Sequence, residues 1–237
     1  MKKRVIITIS ISDIDIRYKE GIILIEFKNV SKKFQDKYVL RNFNLKVQEG
    51  SKTLIFGKSG IGKTTIFRLL LGFIKPDEGQ LLYKNEELNG KNVWDLRRDA
   101  VYIGQELDIS DGTVREIIRT ILNYKINLKV PFEESKLIKL FDFFELPANI
   151  LDKDFQSLSG GEKQRVLISI FTLLNKKLYL LDEITSSLDR EMKNKVIEYL
   201  LSKKEWTLIA ISHDQEWLNK EGLNIIEMGG NNNGTYN

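Results

Sequence analysis

The stretch Gly57-Lys58-Ser59-Gly60-Ile61-Gly62-Lys63-Thr64-Thr65 constrains this chain more than any other. It fits the pattern G-x-x-x-x-G-K-[ST]. A short apolar run, Thr53-Leu54-Ile55-Phe56, precedes it, and an apolar segment of helical character, Ile66 to Leu71, follows. Strand, glycine-rich loop and helix in that order are the setting in which this pattern cradles phosphate. Glycines let the backbone curl so that successive N–H groups point at phosphate oxygens, and the helix start adds partial positive charge. Lys63 is placed to reach β- and γ-phosphates, and Thr64 to put its hydroxyl on Mg²⁺. The bland alternative is a glycine-rich turn before a helix. Chance rarely supplies the whole pattern with strand and helix correctly placed.

Other apolar runs have the same character as Thr53 to Phe56. They are Val101-Tyr102-Ile103, Leu178 to Leu181 and Leu208 to Ile211. Continuous apolar strands imply a parallel sheet covered on both faces. The first fifty residues also read mostly as strands, with Ile22 to Phe27 β-rich, Val39 to Val47 partly alternating and Gln48-Glu49-Gly50 a turn. Between Thr113 and Phe144 the period becomes helical: Val114, Ile117, Ile118 and Ile121 share one face, as do Leu137, Ile138, Leu140, Phe141 and Phe144. A helical block interrupting a series of strands suggests a separate lobe. Glu162 to Lys177 reads as a further helix, with Val166, Leu167, Ile170, Leu173 and Leu174 on its apolar face.

Composition removes several function classes. The chain has no cysteine and a single histidine, His213, so disulfides, thiolate metal sites and multi-histidine metal sites are excluded. The net charge of +4 comes from scattered residues and does not form the basic face of a nucleic-acid binder. No apolar run approaches the ~20 residues that span a bilayer. The start, Met1 to Arg4 followed by Val5 to Ile11, superficially resembles a signal peptide. Thr8, Ser10 and Ser12 alternate with Ile7, Ile9 and Ile11, however, and Asp13 and Asp15 occupy the place of a cleavage site. A cytoplasmic location is the expectation. Gly229 to Gly234 reads as a low-complexity tail.

Two more stretches carry chemistry. Leu178-Tyr179-Leu180-Leu181-Asp182-Glu183 is an apolar strand ending in two carboxylates. Many strands end so, and the pair gains meaning only beside the phosphate loop. Asp182 is then the metal-side acid and Glu183 the base that polarises the attacking water. Leu158-Ser159-Gly160-Gly161-Glu162-Lys163-Gln164-Arg165 is the most specific stretch. Ser159 with Glu162 makes a capping box at a helix start, which leaves the two glycines unexplained. Glycines beside a helix N-terminus allow close approach of an anion.

In these residues the sequence resembles the ATP-binding subunits of ABC transporters, from about Ile25 to Glu227, with the motifs in the family's order. Gly57 to Thr65 is similar to the Walker A loop, Gln105 to the Q-loop glutamine, and Leu158 to Glu162 to the signature motif. Leu178 to Glu183 is similar to Walker B with its catalytic glutamate, Ser187-Leu188-Asp189 to the D-loop, and His213 to the switch histidine that senses the γ-phosphate. Phe34 stands where the family places an adenine-stacking aromatic, with Tyr38 nearby as an alternative. Two departures leave the chemistry untouched: Ile184-Thr185 where the family often has Pro-Thr, and Leu167-Ile168-Ser169-Ile170 where small residues are common.

The resemblance implies an α/β fold. It comprises a P-loop ATPase core with a mixed or parallel sheet, an N-terminal antiparallel β subdomain and an inserted helical subdomain at about 106–157. The ATP-binding domain would run over 25–228, with an N-terminal extension at 1–24 and a flexible tail at 229–237. The implied ligands are ATP and Mg²⁺, with Thr64, Gln105 and Asp182 toward the metal, and Glu183, His213 and Gln105 toward catalysis. The implied partners are a second copy of the chain, whose Ser159, Gly160 and Gly161 complete each nucleotide site, and a separate transmembrane permease subunit. That would put the chain in the cytoplasm, peripheral on the inner face of the cell membrane, with no nucleic acid involved. Asp111-Gly112-Thr113-Val114, Leu146-Pro147, Ile150-Leu151 and Ile184 further resemble a bacterial subfamily of iron-export ATPases. Another transport cargo, or membrane signalling without transport, are the alternatives. DNA-repair relatives carry a long coiled coil where this chain has fewer than a hundred residues, and translation-linked relatives carry two such domains.

Overall fold

A computed structural model describes residues 22–106 and 111–229. The expected strand alternation at Ile7 to Ile11 and the expected tail beyond Gly229 lie outside the described residues.

Two sheets organise the chain. The antiparallel sheet has the order β2-β1-β4-β5, built from β1 (Ile23–Phe34), β2 (Lys37–Gln48), β4 (Glu78–Tyr83) and β5 (Glu86–Glu87). The second has the order β6-β7-β8-β3-β9 and every pairing in it is parallel: β6 (Ala100–Ile103), β7 (Leu178–Asp182), β8 (Thr207–Ser212), β3 (Lys52–Gly57) and β9 (Asn224–Met228). The apolar runs read from the sequence are β3, β6, β7 and β8. The strands β4, β5 and β9 were not anticipated. β9 alternates exposed residues with partly buried ones at the sheet edge, and β4 begins with three exposed residues. Neither shows the continuous apolar run that marks a central strand.

β7 shows why the central strands are apolar throughout. Leu178 and Leu180 pack into a cluster with Ile209 and Ile211 of β8, Ile55 of β3, the helix α1 (Lys63–Leu70) and the antiparallel sheet. Tyr179 and Leu181 point the other way, into a cluster with Leu208, Ala210 and the helices. Successive side chains of a strand face opposite ways, so a strand buried between two layers has no solvent-facing position.

The helical layer holds α3 (Val114–Asn123), α4 (Glu134–Phe143), α5 (Gly160–Thr172) and α6 (Arg190–Ser202). Thr113 opens α3 with a complete capping box to Glu116. Val114, Ile117, Ile118 and Ile121 are all buried, as are Leu137, Phe141 and Phe144. Ile138, assigned from periodicity to the same face, is 43% exposed. It follows Leu137 directly, and a helix turns about 100° per residue, which carries it off the buried stripe. α5 ends at Thr172 rather than Lys177. The chain leaves the helix there because Leu173 donates to Ile170 O in a tight last turn and Asn175 takes a left-handed φ of 51°. The short helices α2 (Val93–Asp99) and α7 (Gln215–Leu218) and two 3₁₀ turns, Ile150–Asp152 and Phe155–Ser157, complete the described elements. No described helix is long and apolar enough to cross a membrane.

Candidate functional site

The carboxyl ends of β3, β7 and β8 lie side by side, since β8 pairs with both neighbours and aligns Asp182 with Ile211 and Phe56 with Ser212. This rim is where ligands bind on parallel sheets, and Gly57, Asp182–Glu183 and Ser212–His213 leave the sheet there.

The phosphate loop joins β3 to α1, which begins at Lys63. Gly60 and Gly62 have φ of 80° and 100°, the left-handed region that glycine enters without strain. Gly62 also lies so close to Val39 that a Cβ there would collide with it. Lys58, Ser59 and Gly60 are exposed, Ile61, Gly62 and Thr64 partly so, and Thr65 is buried. Lys63 is buried, and its Nζ donates to Gly57 O at 2.7 Å and Lys58 O at 2.9 Å.

Glu183 faces Lys63. Its Oε1 is 3.2 Å from Lys63 Nζ, and its Oε2 is 2.8 Å from His213 Nδ1, close but outside hydrogen-bond geometry. Its backbone takes a φ of 55°, unusual for a residue other than glycine, and its N–H donates to Ile211 O at 2.9 Å. The turn after β7 thereby aims the carboxylate at the loop lysine. His213 is half exposed and Glu183 nearly buried.

Asp182 is fully buried, and neither of its carboxylate oxygens has a hydrogen-bond partner of good geometry among the described residues. Burial pushes its carboxyl above the ordinary range, opposed by the nearby Thr64 hydroxyl. A buried acid lacking protein partners beside a hydroxyl and a phosphate loop suits a hard cation with oxygen ligands such as Mg²⁺. Thr64, Gln105 and Asp182 line one cleft of about 580 Å³, together with Arg68, Tyr124 and Asn127. Gln105 is exposed there, just past β6.

Ser159 caps α5 with both halves of the capping box: Glu162 N donates to Ser159 Oγ, and Ser159 N donates to Glu162 Oε2 at 2.9 Å. The first of these bonds is 3.2 Å. The structure gives the two glycines a packing reason. A Cβ on Gly160 would stand 3.0 Å from Ser187 Oγ, and one on Gly161 would stand 2.9 Å from Ser187 O. Ser159 and Gly160 are exposed, and the two glycines pack against Ser187. Asp189 caps α6, accepting from Met192 N at 2.9 Å.

Phe34 lies at the end of β1, 42% exposed, with Lys32 Nζ 5.7 Å from its ring centroid. Tyr38 is flanked by Lys33 at 4.4 Å and Arg41 at 5.1 Å. Both aromatics stand on one hairpin, whose turn is Gln35–Asp36 with φ of 46° and 62°.

Sequence reasoning missed Gln164. Buried in α5, it donates from Nε2 to Ser186 Oγ at 3.2 Å and to Glu183 O at 3.5 Å, and its Oε1 accepts from Ser187 N at 3.2 Å. It ties the helix behind Ser159 to the turn that carries Glu183. The available signal was an amide on the otherwise apolar face of α5. Asp214 and Lys193 were also missed.

The family model for the ABC transporter matches residues 40–186. The "Probable iron export ATP-binding protein FetA" of Escherichia coli (strain K12) is 30% identical over 204 residues, covering 85% of this chain and 89% of that protein. The "Lactococcin-G-processing and transport ATP-binding protein LagD" of Lactococcus lactis subsp. lactis is 31% identical over 179 residues, 74% of this chain, and the chain spans 26% of its length. Among solved structures, the dimeric structure of MJ0796, a bacterial ABC transporter cassette, superposes with a TM-score of 0.71 at 26% identity, over 86% of this chain and 94% of that one. With the phosphate loop, the paired carboxylates and the two-sheet fold in place, the chain belongs to the ATP-binding domain family of ABC transporters, whose cassettes hydrolyse ATP.

Proposed function

We propose that this chain is the ATP-hydrolysing subunit of a transporter whose membrane-spanning part is a separate chain, and that ATP drives two copies together head to tail. One observation carries the reading: Lys63, Glu183 and His213 converge at the ends of three adjacent parallel strands. In this reading the N–H groups of Gly57 to Thr65 and the Lys63 ammonium hold the triphosphate, and Phe34 stacks on the adenine. Glu183 accepts a proton from the attacking water, and His213 positions that carboxylate and the γ-phosphate. Thr64 and Asp182, with Gln105 on the same cleft, would hold Mg²⁺, which when bound neutralises developing phosphate charge. Ser159, Gly160 and Gly161 serve the nucleotide of the second copy, which agrees with Ser159 and Gly160 being exposed. The dimeric MJ0796 cassette supports the pairing.

The ATP-binding domain would comprise 25–228, and residues about 106–157 the lobe that meets the membrane subunit at the inner face of the cell membrane. For cargo, the likeness to FetA supports metal-ion export. LagD, 31% identical and named for lactococcin-G processing and transport, is as similar as FetA, so identity at this level does not select a cargo.

Phosphate release measured against protein concentration tests the pairing. The rate per protomer should rise with concentration and vanish when EDTA removes Mg²⁺. A rate per protomer that stays constant on dilution overturns the shared site. Capture of the membrane subunit, followed by transport in vesicles with Fe²⁺, tests the cargo. ATP-driven Fe²⁺ movement supports metal export, and its absence with an active ATPase sinks it.

A further inference from the structure

His213 and the Asp214 that follows it have opposite surroundings. His213 is half exposed and Asp214 is buried. Each Asp214 oxygen is engaged by a different element: Oδ2 accepts from Thr185 Oγ1 at 2.7 Å, and Oδ1 from Lys193 Nζ at 2.7 Å. The backbone N–H of Asp214 donates to Ser212 Oγ at 3.0 Å, and the buried Trp217 donates from Nε1 to Thr185 Oγ1 at 3.3 Å. One carboxylate therefore joins three segments: the turn two residues past Glu183, the end of β8 one residue past His213, and α6 four residues past its Asp189 cap. A buried ion pair is a poor way to gain stability, because desolvation offsets the attraction and an apolar set of similar volume would hold as well. A carboxylate does supply direction, since its two acceptors fix two donors at set angles.

We propose that Asp214 is a positioning residue for ATP hydrolysis. Its bonds to Thr185 and Lys193 hold the β7 turn and the end of β8 in one register, which keeps His213 Nδ1 on Glu183 Oε2. They also tie α6, and with it the Ser187–Asp189 segment, to that pair. The inference rests on the reading of Glu183 and His213 as the working groups, and a separate variant tests that reading.

The experiment measures kcat and KM for ATP, with thermal unfolding, in the full chain carrying Asp214→Asn, Thr185→Val, Thr185→Ser, His213→Ala or His213→Ala with Asp214→Asn. Asp214→Asn and Thr185→Val should lower kcat by roughly 10- to 100-fold, the scale of a misplaced catalytic group, with KM changed less than about twofold. Thr185→Ser keeps the hydroxyl and should restore most of the rate. In the His213→Ala background, Asp214→Asn should slow the enzyme no further, because residues that act as a unit are not additive. If His213→Ala is inactive while folded Asp214→Asn and Thr185→Val keep the wild-type kcat, the positioning role is overturned and the site reading stands. If Asp214→Asn does not fold, Thr185→Val against Thr185→Ser decides alone, and equal rates overturn the proposal. A wild-type rate in His213→Ala overturns the site reading and the inference with it.

Discussion

Lys63 Nζ stands 3.2 Å from Glu183 Oε1, so the phosphate-loop lysine and the carboxylate past β7 form one buried ion pair. In the proposed reading the pair couples the group that holds phosphate to the group that activates water, and each can be removed separately.

Removing the charge of Glu183 should stop turnover and spare binding. Glu183→Gln is expected to lower ATP hydrolysis by roughly 10²- to 10⁴-fold while ATP affinity is kept, because Lys63 retains its bonds to Gly57 and Lys58. With ATP the variant should elute as a dimer. Hydrolysis at the wild-type rate would show that Glu183 is not the base.

Removing Lys63 should do the reverse. Lys63→Ala is expected to weaken ATP binding by about tenfold or more, which is about 1.4 kcal/mol. It also strips a buried carboxylate of one partner, so the melting temperature without nucleotide should fall as well. Calorimetric titration with ATP checks the first effect and thermal unfolding the second.

The two glycines of α5 should differ. A Cβ on Gly161 meets the backbone oxygen of Ser187, whereas one on Gly160 meets its side chain. A serine side chain can turn aside more easily than a backbone can shift. Gly161→Ala should cost about 1 to 3 kcal/mol of overpacking and displace the 186–188 segment. Gly160→Ala should cost less, because Ser187 Oγ at 3.0 Å can turn aside although Ser187 Cβ at 3.2 Å cannot, and alanine's better helix propensity offsets part of the cost. Denaturant unfolding of the two variants compares them directly.

Glu162 should make stability depend on pH in the acid range. Its carboxyl is held below 4.5 first by the backbone N–H of Ser159. A depressed carboxyl contributes stability above its unfolded value and loses it as pH falls through the folded value. The difference between wild type and Glu162→Gln should be about 0.5 kcal/mol at pH 7, because the group is partly exposed at a helix start. It should fade as pH drops from about 4.5. A difference unchanged down to pH 3 would show that the charge contributes nothing.

The phosphate loop was legible because β3, the loop and α1 are contiguous and each residue type has a local reason. The acids at the end of β7 were legible only beside that loop, because many strands end in a carboxylate. The convergence of Lys63, Glu183 and His213 came from the family resemblance and not from any local pattern, since β7, β8 and β3 are neighbours in space and far apart in the chain. Asp214 and Lys193 escaped notice because a charged residue beside a motif reads as surface until its partners are known. The glycines of the Ser159 stretch were assigned to anion approach. The structure adds contact with Ser187, a long-range reason no local pattern contains. Ile138 shows the limit of periodicity, which locates a buried stripe but not its edge.

The division of β7 between two hydrophobic clusters protects the chemistry from change elsewhere. A slip of one residue would exchange the side chains offered to the two layers, so Asp182 cannot drift along the sheet. Exposed residues outside the cleft that holds Asp182, such as Pro147 to Asn149, can alter without moving it. A lineage could thus refashion the surface shown to its partner while inheriting the reaction centre intact, a modular route by which one engine is fitted to many loads.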